Sequence, residues 1–269
     1  MKVTNKNNFM NYLNSLRFLG VGSQGACYYD PKANQVLKVF HIFFDDDYED
    51  TISEDLTQFS NITNSTFIWP IDTIEYNNYV IGYTMKFVKS KSLYETNPLY
   101  VNLNSLAKAI NKSYKDIELL TNNDIKIYDI MYNILYSKGK INVIDTMEYS
   151  KRSVTLKENS EGFNLELKYF LVDNLFNNFV NSNPFLKNLY NSKDANALEL
   201  LSELKRKLSE YVGYEITMLN EVRMLTSKID RPKYIREISK RWLAFNHLFK
   251  YFIKVELANV SEMDLFTPK

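Results

Sequence analysis

Apolar positions alternate with polar ones in the front of the chain and recur at helical spacing further on. Phe18 to Tyr29 is followed by the turn formers Asp30-Pro31-Lys32-Ala33-Asn34 and then by Gln35 to Phe40, rich in β-formers, which predicts a hairpin. From Asp45 to Ile62 an acidic start and the stripe Ile52, Leu56 and Phe59 predict a helix. Two short apolar runs, Thr66 to Pro70 and Tyr79 to Val88, read as strands, with the polar turn Glu75-Tyr76-Asn77-Asn78 between them.

After the polar break Lys89-Ser90-Lys91-Ser92 the period changes. Val101 to Leu120 carries Leu103, Leu106, Ala107, Ile110, Ile117 and Leu120 at helical spacing. Asn133 to Tyr136 and Lys140 to Asp145 flank Ser137-Lys138-Gly139, a hairpin pattern. Asn164 to Val180, Ala195 to Gly213, Tyr214 to Thr226 and Tyr234 to Leu257 read as amphipathic helices, punctuated by Pro184 and Pro232. No repeat, linker or low-complexity tract interrupts them. A β-rich front thus gives way to helices, which predicts an α+β chain.

Composition narrows the function. With 269 residues the chain is long enough for one large domain or two lobes with a core each. Lys and Arg number 33 against 32 Asp and Glu, so the basic excess of a nucleic-acid binder is absent and no nucleic-acid partner is expected. A single Cys27 and two distant histidines, His41 and His247, build neither a disulfide nor a zinc site. The polar, Asn-rich start does not read as a signal peptide, and no run approaches the roughly 18 apolar residues of a membrane span. No membrane partner and a cytoplasmic location are therefore expected.

The most informative stretch is Leu19-Gly20-Val21-Gly22-Ser23-Gln24-Gly25-Ala26-Cys27, a G-x-G-x-x-G at Gly20, Gly22 and Gly25. Such loops let backbone N–H groups approach phosphate oxygens, because glycine has no Cβ in the way. A Walker A loop would need Lys and Ser or Thr where Ala26 and Cys27 stand. A Rossmann fingerprint would open a helix, whereas β-formers follow Gly25. A third design puts the loop in a β-hairpin with a lysine on the next strand, and Val36-Leu37-Lys38 supplies it. A tight hairpin alone would also use three glycines.

In these residues the chain resembles the protein-kinase-like superfamily, over roughly residues 15 to 150. The resemblance implies a two-lobed fold, a small antiparallel β-sheet lobe with one helix at residues 1–88 and a mainly helical lobe at residues 89–269, with ATP and Mg²⁺ in the interlobe cleft and Lys38 on the α/β-phosphates. It implies a helical glutamate paired with that lysine: Glu54, with Asp50 and Asp55 within one turn of it. Cys27 takes the place of the residue that roofs the adenine. Gly82 to Val88 resembles the strand entering the interlobe hinge, with Met85 limiting the adenine pocket and Lys86 to Val88 offering backbone groups to the base; an ordinary buried strand reads the same way.

The resemblance continues through Ile127-Tyr128-Asp129-Ile130-Met131-Tyr132-Asn133 and Ile141-Asn142-Val143-Ile144-Asp145. Asp129 would orient or deprotonate the acceptor hydroxyl, and Asn133 and Asp145 would bind magnesium. A turn-capping role is the plainer reading of Asp145. The chain departs from the family in several places. Asp129 to Asn133 is D-x-x-x-N, one residue short, so either the loop is tightened or Tyr128 takes the base position. Asp145-Thr146-Met147 lacks the usual Phe and Gly, Ile127-Tyr128 replaces His-Arg, and no A-P-E follows. Glu148 could help hold a second metal ion.

The expected activity is ATP- and Mg²⁺-dependent phosphoryl transfer to a hydroxyl of a protein or small molecule. The alternative is a pseudokinase that acts as a nucleotide-binding or interaction module, and nucleotidyl transfer on the same fold is a third possibility. The basic runs Lys205-Arg206-Lys207 and Lys233 to Arg241 read as solvated helix faces, and Trp242 to Ile253 as core.

Overall fold

Alternation in the front of the chain produces a mixed six-stranded sheet, and the computed structural model describes residues 1–46, 48, 55–173 and 175–226. The chain is α+β and divides into two units. The first draws on residues 1–62 and 69–87, the second on 63–68 and 88–226.

In the first unit β1 (Lys2–Val3), β2 (Arg17–Val21), β3 (Gly25–Asp30), β4 (Gln35–Phe40), β5 (Pro70–Tyr76) and β6 (Tyr79–Lys86) lie in the order β1-β5-β6-β4-β3-β2. Only β1 runs parallel to its neighbour. The expected hairpin is β3–β4, with Asp30 opposite Gln35. The β5–β6 turn falls at Asn77 and Asn78, whose φ of 52° and 67° suits asparagine.

Helix α1 (Lys6–Ser15) was not anticipated in the Asn-rich start. The Asn5 side chain caps it by accepting the Asn8 N–H at 2.9 Å. Phe9, Met10 and Leu13 then pack with Ala26, Tyr28, Leu37, Val39, Phe43, Ile74 and Ile81. Each such large side chain contributes roughly 1.5–3 kcal/mol by leaving water.

Of the helix expected over Asp45 to Ile62, residues 56–62 lie in turns and a bend instead, and residues 47 and 49–54 lie outside the described residues. A short α2 (His41–Asp45) continues directly from β4 and stops where Asp46 adopts a left-handed φ of 56°. Leu56 and Phe59 are buried, but within turns. Ile52 lies outside the described residues. The strand expected at Thr66 to Pro70 is replaced by one parallel bridge, Phe67 to Val143, after which Pro70 opens β5. Val143 N–H donates to the Thr66 carbonyl and Ile68 N–H to the Val143 carbonyl, which sews this segment into the second unit.

The second unit holds β7 (Lys91–Ser92), α3 (Leu103–Asn122), β8 (Ile125–Lys126), β9 (Ile134–Ser137), β10 (Lys140–Val143), β11 (Ser150–Lys151) and α4 (Leu156–Val172). Strands β9 and β10 form the expected hairpin, with Lys138 and Gly139 at positive φ, and β7 joins it. Strand β8 pairs with β11. Helix α3 buries Leu103, Leu106, Ile110, Ile117 and Leu120, the predicted stripe.

Helix α4 begins at Leu156 instead of Asn164, because Thr155 and Glu158 form a reciprocal capping box. It ends by Asp173, and α5 (Asn177–Ser182) and α6 (Pro184–Asn191) follow, Pro184 at the first turn of α6. Helix α7 (Ala197–Val212) is closed by Gly213 at φ 80°. Beyond it, the helix expected to Thr226 reduces to a 3-10 segment, Leu219–Leu225. The predicted helix Tyr234 to Leu257, the basic run Lys233 to Arg241 and the stripe from Trp242 lie outside the described residues. Among the described residues no helix is long and apolar enough to cross a membrane.

Candidate functional site

The glycine loop joins β2 to β3. Gly22 N–H donates to the Gly25 carbonyl at 2.9 Å, which closes the turn. Gly25 is sterically required: a Cβ there would sit 2.2 Å from the Val39 carbonyl oxygen. Gly20 and Gly22 are not, since nothing lies within 4 Å of the first and the nearest atom to the second is at 4.0 Å. Their missing side chains leave the loop backbone open to a ligand.

Gly20 pairs with Cys27, Cys27 with Lys38 and Lys38 with Tyr83 across four adjacent strands. Residues directly opposite share a face, so Gly20, Cys27 and Lys38 stand in one row. Met85 pairs with Val36, two residues from Lys38, and belongs to that face. Lys38 is only 5% exposed; its Nζ donates to Gln24 Oε1 at 2.8 Å and lies 5.8 Å from the Tyr83 ring centre. Gln24 and His41 were missed in the sequence. The Gln24 carbonyl accepts His41 N–H, and His41 Nε2 lies 3.0 Å from the Gly22 carbonyl oxygen, so α2 braces the loop. Only contact across the sheet reveals this.

Glu54, the expected partner of Lys38, and its alternative Asp50 lie outside the described residues. Asp55 accepts from the backbone N–H and the hydroxyl of Thr57, which holds its carboxyl below the usual range and makes it a turn former. At the end of β6, Lys86 is exposed and pairs with Gln35. The Val88 carbonyl accepts Ser90 N–H.

In the second unit three candidate residues come together. Asn133 Nδ2 donates to the Asp129 carbonyl at 2.7 Å, and the Asn133 carbonyl accepts Ile144 N–H at 3.0 Å, one residue before Asp145. Tyr149 is buried, and its phenol is pushed well above its usual range, first by burial and then by the charges of Asp145 and Asp129. Asp129, Tyr132 and Asp145 all have positive φ, 42°, 70° and 62°. Backbone strain of this kind gathers at sites where geometry serves chemistry.

Tyr128, the alternative occupant of the base position, is tied elsewhere. The Ser150 and then the Arg152 side chain hold its phenol below the usual range. Thr146 Oγ1 donates to the Ile68 carbonyl at 2.9 Å and anchors the chain after Asp145. Glu148 is exposed.

With its Nδ2 committed to Asp129, Asn133 has Oδ1 left for a cation. Asp145, Asn133 Oδ1 and Asp129 are hard oxygen donors of the kind Mg²⁺ takes together with water and phosphate oxygens. Among the described residues no three His, Cys, Asp or Glu side chains are grouped to hold a metal by themselves, so a cation here would depend on the phosphates for further ligands. The run Lys205 to Lys207 is a paired surface: Lys205 meets Glu215, Arg206 meets Glu203 and Glu210, and Lys207 meets Glu210. Compared with known families and characterised proteins, the chain matches no family model and no curated sequence.

Proposed function

We propose that this chain is a two-lobed, protein-kinase-like phosphotransferase that uses ATP and Mg²⁺ to phosphorylate a hydroxyl of a protein or small molecule. The backbone linkage at Asn133 carries the reading: its side chain bonds the Asp129 carbonyl and its own carbonyl accepts the N–H of Ile144, the residue before Asp145. The row Gly20, Cys27, Lys38 supports it from the other unit.

In this reading Lys38 binds the α/β-phosphates, and Asp145 and Asn133 Oδ1 hold the Mg²⁺ that neutralises charge on the phosphates. Asp129 orients the acceptor hydroxyl and takes its proton as the oxygen attacks the γ-phosphorus and ADP leaves. Positioning and charge neutralisation supply most of the catalysis, since the loose phosphoryl transition state needs little covalent help.

Two observations favour a pseudokinase instead. Thr146, in place of the family's packing Phe, is pinned to the Ile68 carbonyl with Met147 where the flexible Gly would follow, and the loop before Asn133 is one residue short. Thermal unfolding with ATP, with and without Mg²⁺, separates the readings. A ligand at 100 times its Kd stabilises by about 2.7 kcal/mol, a shift of a few degrees. Lys38→Met should abolish stabilisation by ATP, and Asp145→Ala the part that needs Mg²⁺. No ATP effect in the wild type, with or without Mg²⁺, overturns the enzyme reading. Mass measurement on a phosphorylated acceptor, showing AMP in place of phosphate, would redirect it to nucleotidyl transfer.

A further inference from the structure

Residues 64–68 grip the chain on both sides of Asp145. Val143 N–H donates to the Thr66 carbonyl at 2.8 Å, and Ile68 N–H donates to the Val143 carbonyl at 2.9 Å. Beyond Asp145, Thr146 Oγ1 donates to the Ile68 carbonyl at 2.9 Å. Asn142 Nδ2 adds a bond to the Ser65 carbonyl at 3.2 Å. Asp145 lies between these anchors with φ 62°, a left-handed backbone that a non-glycine residue keeps only where its surroundings impose it.

The gripping segment has little structure of its own. Apart from the Phe67 bridge it belongs to neither helix nor strand, so side chains must satisfy and fix its backbone. Asn64 Oδ1 accepts Thr66 N–H at 2.9 Å and Phe67 N–H at 2.6 Å, which turns the chain. One oxygen of Asp116, on α3, then accepts three donors: Ser65 N–H at 3.1 Å, Ser65 Oγ at 2.7 Å and Thr66 Oγ1 at 2.6 Å. Bonds to a carboxylate are about twice as strong as neutral ones. Ser113 Oγ, one turn earlier on α3, lies 3.2 Å from the same buried Thr66 hydroxyl.

We propose that Asp116 is a positioning residue: by holding Ser65 and Thr66 it keeps residues 64–68 against β10 and Thr146 and so fixes the backbone that presents Asp145. The splinting role stands on its own; its consequence for metal binding rests on the phosphotransferase reading.

Two measurements on the full chain test it. Hydrogen exchange at single amides is compared in wild type, Asp116→Ala, Asp116→Asn and Thr66→Val. The Ile68 and Val143 amides report the splint, and those of Ile110 and Leu120 report α3 itself. Alanine is the best helix former but accepts nothing, whereas asparagine keeps an acceptor oxygen for the two hydroxyls. In D116A exchange should rise about tenfold at both Ile68 and Val143 and keep its wild-type rate at Ile110 and Leu120. D116N should stay within about threefold of wild type, and T66V, which removes one donor and keeps the shape, should raise the same two amides to a lesser degree. The Mg²⁺ concentration that half-saturates stabilisation by ATP should rise about tenfold in D116A, with stabilisation by ATP alone unchanged.

A rise at Ile68 with Val143 unchanged overturns the proposal, because the segment would then loosen without Asp145's strand. Wild-type exchange at both amides in D116A, equal damage from D116N, or a rise that extends to Ile110 and Leu120 overturns it as well. If D116A does not fold, T66V decides, and no rise at Val143 there overturns the splint. If wild-type protein shows no Mg²⁺-dependent stabilisation by ATP, the phosphotransferase reading falls, and the exchange data still decide whether Asp116 fixes the chain around Asp145.

Discussion

The Asn133 side-chain nitrogen donates to the Asp129 carbonyl at 2.7 Å, so the shortened D-x-x-x-N loop closes upon itself. One side chain thus fixes the loop, and in the phosphotransferase reading its oxygen is the one that would meet the cation. Asn133→Ala should raise the Mg²⁺ requirement for stabilisation by ATP about tenfold or more, because it removes both functions. A Mg²⁺ titration followed by thermal unfolding measures it. An unchanged titration would remove Asn133 from the metal site.

The loop glycines separate by what surrounds them. Gly25→Ala forces a methyl group against the Val39 carbonyl and should cost about 1–3 kcal/mol in denaturant unfolding. Gly22→Ala meets nothing closer than 4.0 Å and should change stability by about 0.5 kcal/mol or less. If the loop cradles phosphates, G22A should nevertheless weaken stabilisation by ATP. Equal ATP effects in G22A and wild type would make the glycine a hairpin feature alone.

Asn159 is a buried amide with both ends in use. It bonds Ile127 N–H, the Ile125 carbonyl and the Thr121 hydroxyl. Asn159→Ala should destabilise by about 2–4 kcal/mol, since it leaves backbone groups of the loop without partners. Asn159→Asp keeps the acceptor but faces the Ile125 carbonyl with a buried charge, and should be no better. Chemical denaturation of the two variants checks both claims.

Asp30 gives a pH-dependent test. Tyr12 Oη donates to its Oδ2 at 2.8 Å and lowers its pKa, outweighing the opposing effect of burial, with backbone N–H bonds from Lys32 and Ala33 helping. A carboxyl depressed in the folded state contributes stability above its unfolded value, near 3.9, and loses that contribution as pH falls through the folded value. Tyr12→Phe should therefore lower the melting temperature more at pH 7 than at pH 2.5. Equal losses at both pH values would mean that the hydroxyl acts without the charge.

Much of the fold is local and was legible. The turn residues between β3 and β4, the Asn77-Asn78 turn, the Gly139 hairpin and the stripe of α3 are set by backbone preferences over a few residues. Two helix errors arose from end signals. Asp45 suggested a helix start, whereas it closes a short helix that Asp46 ends in a left-handed conformation. The start of α4 was in plain view as Thr155 and Glu158, but the apolar period from Asn164 drew attention away from that capping pair.

The sequence by itself determined the strand that carries Lys38, the glycines before it, and the hairpin between Asn133 and Asp145, because alternation and turn chemistry act between near neighbours. Only the tertiary structure decided that Gln24 meets Lys38, that Thr66 to Ile68 joins β10, and that Asn159 satisfies the backbone of Ile125 and Ile127. These pairings lie on different elements, most of them far apart in the chain. Packing of whole faces brings them together, and no local pattern of residues records which distant backbone groups a buried side chain will satisfy.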